Sequence, residues 1–207
     1  ERNRASDHQP RTEDRGPRPH GMGYVSVITR IAAPIGVCFD AARSLSAHVA
    51  SARFSGEKLV APGKLEGHLE LGDLVCFEGR HFGIRQRFCA RIIEMDRPNR
   101  FTDEMVRGAF KSMRHVHQFE ESGGATVMID TLDWRAPLGP LGGLADRLFL
   151  ERHMRWFVET KQGALRAIIE GRAGSQPALR VSEPDPEIVK SEAAKLQPGT
   201  TGVQTNP

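Results

Sequence analysis

Apolar and polar positions alternate from residue 24: YVSVITRI (24–31) is β-branched with a period of two, which predicts a strand. Ala33-Pro34 stops it, and Val37, Cys38, Ala41, Ala42 and Leu45 then recur at a period near 3.6, predicting a helix over 34–43 with Pro34 at its start. Ser44 offers a cap for a second short helix running to about Ala52. From Gly56 the period returns to two, and strands are predicted at 57–61, 73–82, 84–96, 100–109, 111–120 and 125–136. Short turn-formers separate them: Pro62-Gly63, Gly83, Arg97-Pro98-Asn99 and Ser122-Gly123-Gly124. Linkers this short join antiparallel neighbours, because a parallel crossover needs about a dozen residues or more. After Ala136-Pro137 the period becomes helical again from Leu141 to Gly171, with Met154, Phe157, Val158, Leu165, Ile168 and Ile169 apolar and Arg147, Arg152, Arg155, Lys161 and Arg166 between them. An amphipathic helix of that length after a meander is expected to lie across the concave face of the sheet.

Composition divides the 207-residue chain into three parts. Every aromatic lies between Tyr24 and Phe157, whereas most prolines fall in residues 1–21 and 172–207. The expected organisation is a disordered N-terminal flank (1–21), one folded domain (22–171) and a disordered C-terminal tail (172–207). A domain of about 150 residues can enclose both a core and a pocket. No apolar run approaches the roughly 20 residues that span a bilayer, so no integral membrane segment is expected.

Net charge is only +3, and no stretch concentrates lysine and arginine as a nucleic-acid patch would. The cysteines Cys38, Cys76 and Cys89 are odd in number and show no metal-type spacing; they predict separate, buried, inert thiols and a reducing, cytoplasmic setting. The N-terminal flank has no apolar core of a secretory signal. Gly139-Pro-Leu-Gly142-Gly143 departs from the dinucleotide-binding spacing and reads as a loop leading into the last helix, and there is no G-x-S-x-G. The Arg147, Arg152, Arg155 set reads as the wet side of that helix.

The order strand, two short helices, six-strand meander and long helix, together with three stretches, carries a family resemblance. IAAPIGVCFDAARSL (31–45) resembles the opening of the START-like/SRPBCC superfamily. LGDLVCFEGRHFGIRQRFCARIIEMDRPNRFTDEMVRGAFKSMRHVHQFE (71–120) is similar to the middle of its polyketide cyclase/dehydrase-like and coenzyme Q-binding-like members. GGATVMIDTLDWRAPLGPLGGLADRLFL (123–150) is similar to their closing strand and helix entry. One departure is Met113, where relatives often carry Trp before the His. The resemblance covers about residues 24–171. It implies the α+β helix-grip fold, a curved antiparallel sheet of about seven strands wrapped around a C-terminal helix. Members include lipid carriers, ubiquinone chaperones and aromatic cyclases.

Alternation also selects the inward side chains. Met128, Asp130, Leu132 and Trp134 share one face of the last strand, and Met113, His115, His117 and Phe119 share one face of the strand before it. Val75, Phe77 and His81 are expected to point inward, as are Ile84, Gln86, Phe88, Ala90 and Ile92, opposite a solvated stripe of Arg85, Arg87 and Arg91. Phe101, Asp103, Met105 and Arg107 form one face of their strand unless a bulge at Gly108 reverses it. The expected ligand-binding set is Phe77, His81, Gln86, Phe88, Asp103, Met105, Met113, His115, His117, Phe119, Met128, Asp130, Trp134 and Phe157.

This mixture suits a small hydrophobic molecule oriented by a few hydrogen bonds. The first expectation is a carrier or chaperone that binds a lipid, quinone or polyketide-like compound without chemistry or cofactor. The alternative is a metal-free cyclase or dehydratase using His115, His117 and Asp130 for acid/base catalysis. A third is a partner-binding module tethered by its flanks. A metal at His115-x-His117 needs a third ligand, for which His81 and Asp130 are the candidates, and none is expected. The expected partner is thus a hydrophobic small molecule, with no nucleic acid, at most transient membrane contact, and a monomeric or homodimeric state.

Overall fold

The computed structural model describes residues 22–81, 83–136 and 149–171. The predicted flanks 1–21 and 172–207, the Gly139–Gly143 loop, Arg147 and the first part of the predicted last helix lie outside the described residues. Strand β1 (Met22–Ile31) is followed by α1 (Ile35–Arg43), α2 (Leu45–Ser51), a 3-10 turn (Arg53–Ser55), β2 (Lys58–Leu59), β3 (Leu74–His81), β4 (Ile84–Asp96), β5 (Arg100–Arg107), β6 (Ser112–Ser122), β7 (Ala125–Arg135) and α3 (Glu151–Ile169). The seven strands form one antiparallel sheet in the order β1-β7-β6-β5-β4-β3-β2. This is the predicted meander, with the first strand brought back beside the last.

Local chemistry explains the joints. Ser44, in extended conformation, ends α1 through its N–H to the Ala41 carbonyl and starts α2 by accepting from the Ala47 N–H at 3.4 Å. The strand predicted at 57–61 shrinks to two residues, because Pro62 has no N–H to donate to β3. Val60 and Lys64, on either side of Pro62, still donate to the Cys76 and Leu74 carbonyls. The sheet irregularity falls in β4, between Cys89 and Ala90 and between Ile92 and Glu94, rather than at Gly108. Phe101 and Asp103 therefore keep their predicted face.

Three expectations need correction. Val37 is 51% exposed, and α1 buries Cys38, Phe39 and Arg43 instead. Arg85 and Arg91 are exposed, but Arg87 is half-buried and donates to the Ala61 carbonyl at 2.8 Å. Cys76 and Cys89 are joined in a disulfide, leaving Cys38 as a buried free thiol. The β3–β4 register puts the two sulfurs face to face, since each Cys lies five residues from the pair His81↔Ile84 that flanks the turn. The cysteines thus no longer argue for a reducing compartment. Among the described residues, no helix is long and apolar enough to cross a membrane.

Helix α3 lies against β1 and α2 and buries His153, Met154, Val158, Gln162 and Leu165. The core has two clusters. One gathers Ile31, Phe39, Phe101, Phe119, Met128 and Leu165; the other gathers Val25, Met113, Leu132, Trp134, Met154 and Val158. Phe88 packs against both.

Candidate functional site

Residues from both core clusters line a cavity of about 170 Å³. Its apolar wall includes Val75, Phe77, Phe88, Phe101, Met113, Met128, Leu132, Met154, Phe157 and Leu165. Of the predicted ligand-binding residues, Phe77, His81, Gln86, Phe88, Asp103, Met113, His115, His117, Met128 and Phe157 border this space. Four do not. Phe119 is packed edge-on against Phe39, at 5.5 Å between ring centroids. Trp134 lies over its register partner Gly23, where a β-carbon would come within 2.0 Å of the indole. Met105 folds back on Gly108, and Asp130 sits wholly buried behind the histidines. Ile84, expected inward, opens its strand beside the turn and is 63% exposed.

Polar groups enter the cavity as two clusters. The first is carried by three adjacent strands, whose register sets Asp103 opposite His115 and His117 opposite Asp130. Asp130 Oδ1 lies 3.0 Å from His115 Nε2 and also contacts His117 Nδ1. Asp103 Oδ2 stands 3.4 Å from His117 Nε2 and 3.9 Å from His115 Nδ1. The two imidazoles are 3.8 Å apart, and His117 stacks on Phe101 at 4.2 Å.

These surroundings drive the two histidines in opposite directions. Burial opposes charge on His117, yet Asp130 and Asp103 outweigh it and push His117 up to about 9. Burial and the neighbouring His117 charge lower His115, against the pull of Asp130. Burial alone would raise both carboxyls, but the histidines hold Asp103 and Asp130 below the usual carboxylate range.

Of the second cluster, only His81 belongs to the sequence-based site. This cluster draws His48 from α2, Glu57 from the segment before β2, His81 from β3, and His153 and Lys161 from α3. Glu57 Oε2 is 3.3 Å from His48 Nε2, and its other oxygen is 3.7 Å from His81 Nε2. Lys161 Nζ stands 3.0 Å from both ring nitrogens of His48. His48 also stacks on Phe77, at 4.1 Å and 10°. Burial, then Lys161, brings His48 down to about 4; burial, then His81, brings His153 down to about 4. Burial lowers Lys161, while His48, His81 and Lys161 hold Glu57 down despite its burial.

A signal for Lys161 is present in the sequence. Met154, Val158, Lys161 and Leu165 are spaced by four, three and four, which sets the lysine on the buried stripe. His48 and Glu57 give no comparable signal, because a short helix and a loop have no alternation to read. Among the described residues, Asp103, His115 and His117 can each direct one ligating atom to a common point, those atoms lying within 4.8 Å of one another. The third donor beside the two histidines is thus Asp103 rather than His81, which belongs to the other cluster, or Asp130, which lies behind the rings.

No protein-family model matches the chain, and no curated protein matches it in sequence. Solved structures do match. The protein TTHA0849 from Thermus thermophilus is 19% identical, with 72% of this chain and 97% of that one covered and a TM-score of 0.58. A protein from Arthrobacter aurescens is 10% identical over 78% of this chain and 93% of its own, with a TM-score of 0.57. Ginseng major latex-like protein 151 from Panax ginseng is 15% identical over 71% and 97%, with a TM-score of 0.53. At these identities the likeness establishes the fold, an open antiparallel sheet with a C-terminal helix of the helix-grip type.

Proposed function

We propose that the chain binds a small hydrophobic molecule bearing a polar group, as a carrier or chaperone of a lipid fragment, quinone-like or polyketide-like compound. The observation that carries this reading is the cavity, apolar over most of its wall with polar clusters contributed from the strands and from α2 and α3. Its size favours a ring-sized guest: a dry cavity of about 150 Å³ accepts benzene, and this one is about 170 Å³. The resemblance to START-like/SRPBCC carriers and chaperones points the same way. Native mass spectrometry of protein purified from its host tests it, with a co-purified apolar compound expected. In parallel, Ala90→Phe, which fills the cavity from its wall, is expected to weaken binding of 2-naphthol by at least about tenfold, roughly the cost of losing one good apolar contact. Unchanged affinity and an empty cavity would reject the reading.

A second reading has its own support, since two adjacent histidines driven in opposite directions are what an acid/base pair requires. At neutral pH His117 is held as the acid and His115 as the base. This suits a cyclase or dehydratase acting on an aromatic or polyketide-like substrate, with Asp130 orienting both rings. His115→Gln is expected to abolish turnover while leaving 2-naphthol affinity nearly intact; turnover that survives would exclude the chemistry.

A further inference from the structure

We propose that Asp103, His115 and His117 form a three-ligand site for a divalent first-row transition ion of the zinc type, with its open position facing the cavity. The inference deepens the cavity-binding reading and rests on it.

The donor geometry comes first. Asp103 Oδ2 lies 3.4 Å from His117 Nε2 and 3.9 Å from His115 Nδ1. Ligands held about 2.0–2.1 Å from a tetrahedral ion stand roughly 3.4 Å apart. The two edges to Asp103 thus lie within about 0.5 Å of that spacing, and all three donor atoms lie within 4.8 Å of one another. The opposite ring nitrogens, His115 Nε2 and His117 Nδ1, both face Asp130, which is wholly buried. A carboxylate behind each imidazole is the arrangement that fixes metal-binding histidines, because it sets the tautomer and aims the free nitrogen. Here one carboxylate serves two rings.

Position and charge agree. Asp103, His115 and His117 border the cavity and Asp130 does not, so an ion on the three would keep a face open to the guest or to water. Two carboxylates and two neutral imidazoles balance one divalent charge. Behind the rings, on the side away from the ion position, Asp130 Oδ2 has no hydrogen-bond partner among the described groups, and His117 Nδ1 touches Oδ1 out of hydrogen-bond alignment. Lys161 is the competing cation in the same cavity, but its amine is engaged with His48 at 3.0 Å. An ion would occupy the nitrogen through which His117 would otherwise act as an acid, so this site and the metal-free acid/base reading exclude each other.

The test uses the full chain stripped with a chelator and titrated with Zn(II) by calorimetry, with bound metal counted by elemental analysis and Co(II) absorption reporting the ligand set. A parallel anaerobic titration with Fe(II) identifies the preferred ion. One ion per chain is expected, with affinity falling by more than about 100-fold in Asp103→Ala and His117→Ala and about 10–100-fold in Asp130→Asn. Metal content well below one per chain in the wild-type protein overturns the proposal, whether or not the variants fold. So does binding that survives Asp103→Ala but is lost in Glu57→Gln, since that would move the ion to the second cluster. Titrating 2-naphthol into the metal-free protein separates the two readings. Naphthol binding without zinc binding defeats only the ion site, whereas zinc binding without naphthol binding supports the site and defeats the cavity reading.

Discussion

The two polar clusters share one cavity and largely one residue type, yet they balance charge differently. On the strands, two carboxylates flank two histidines, and the balance keeps a proton on His117. Around α2 and α3, a single carboxylate is shared by His48 and His81, an amine stands beside His48, and burial keeps His48 and His153 neutral. Histidine alone therefore says little about the chemistry of a pocket. What decides is the balance at each ring of burial, carboxylates and neighbouring positive charge.

The largest expected effect breaks the strand cluster. Asp130→Ala leaves His117 buried without its main counter-charge, and should cost about 3–5 kcal/mol in urea unfolding. Glu57→Ala, whose hydrogen-bonded partner His48 is held neutral by burial, should cost less, about 1–3 kcal/mol. Equal losses would mean that the two clusters do not differ in charge.

The pH dependence sharpens the contrast. His117 is raised, so the stability it contributes is fully present below about pH 6.5 and is lost as pH rises through about 9, on the order of 3 kcal/mol. Subtracting the stability profile of His117→Gln from that of the wild type should isolate this alkaline loss. His48 and His153 run the other way. Their values near 4 lie below the unfolded one, so the unfolded chain takes up protons first and stability falls as pH drops from about 6.5 toward 4. Replacing both by Gln should flatten that acid limb and leave the alkaline one in place.

The smallest effect concerns Lys161. Burial is the main cause of the lowered His48 value and Lys161 the next, so Lys161→Met should raise the His48 pKa modestly, measurable by the pH titration of its ring protons in NMR. An unchanged titration would show that the amine and His48 are not coupled.

Much of the strand cluster is legible without coordinates. A period of two sets His115 and His117 on one face, and the short turns dictate antiparallel neighbours, so Asp103 and Asp130 have to flank them on the adjoining strands. The disulfide is legible in principle from the same rule, since Cys76 and Cys89 are symmetric about the β3–β4 turn. Separation along the chain hides it, and only register reveals it. Lys161 sits at apolar spacing, but its charge masks its place on the buried stripe. Trp134 has the bulk of a cavity wall, although Gly23 opposite it leaves the indole a place to lie against β1.

Local periodicity thus determined the elements, their antiparallel order and the inward faces of the strands, because alternation and turn length act between neighbours in sequence. Only the tertiary structure decided the rest. Closing α3 over the sheet brings Lys161 to His48, more than one hundred residues away, and His153 to His81. It also decides which inward side chains border open space and which are consumed by packing. Such contacts follow from how two layers stack, a property no single segment carries.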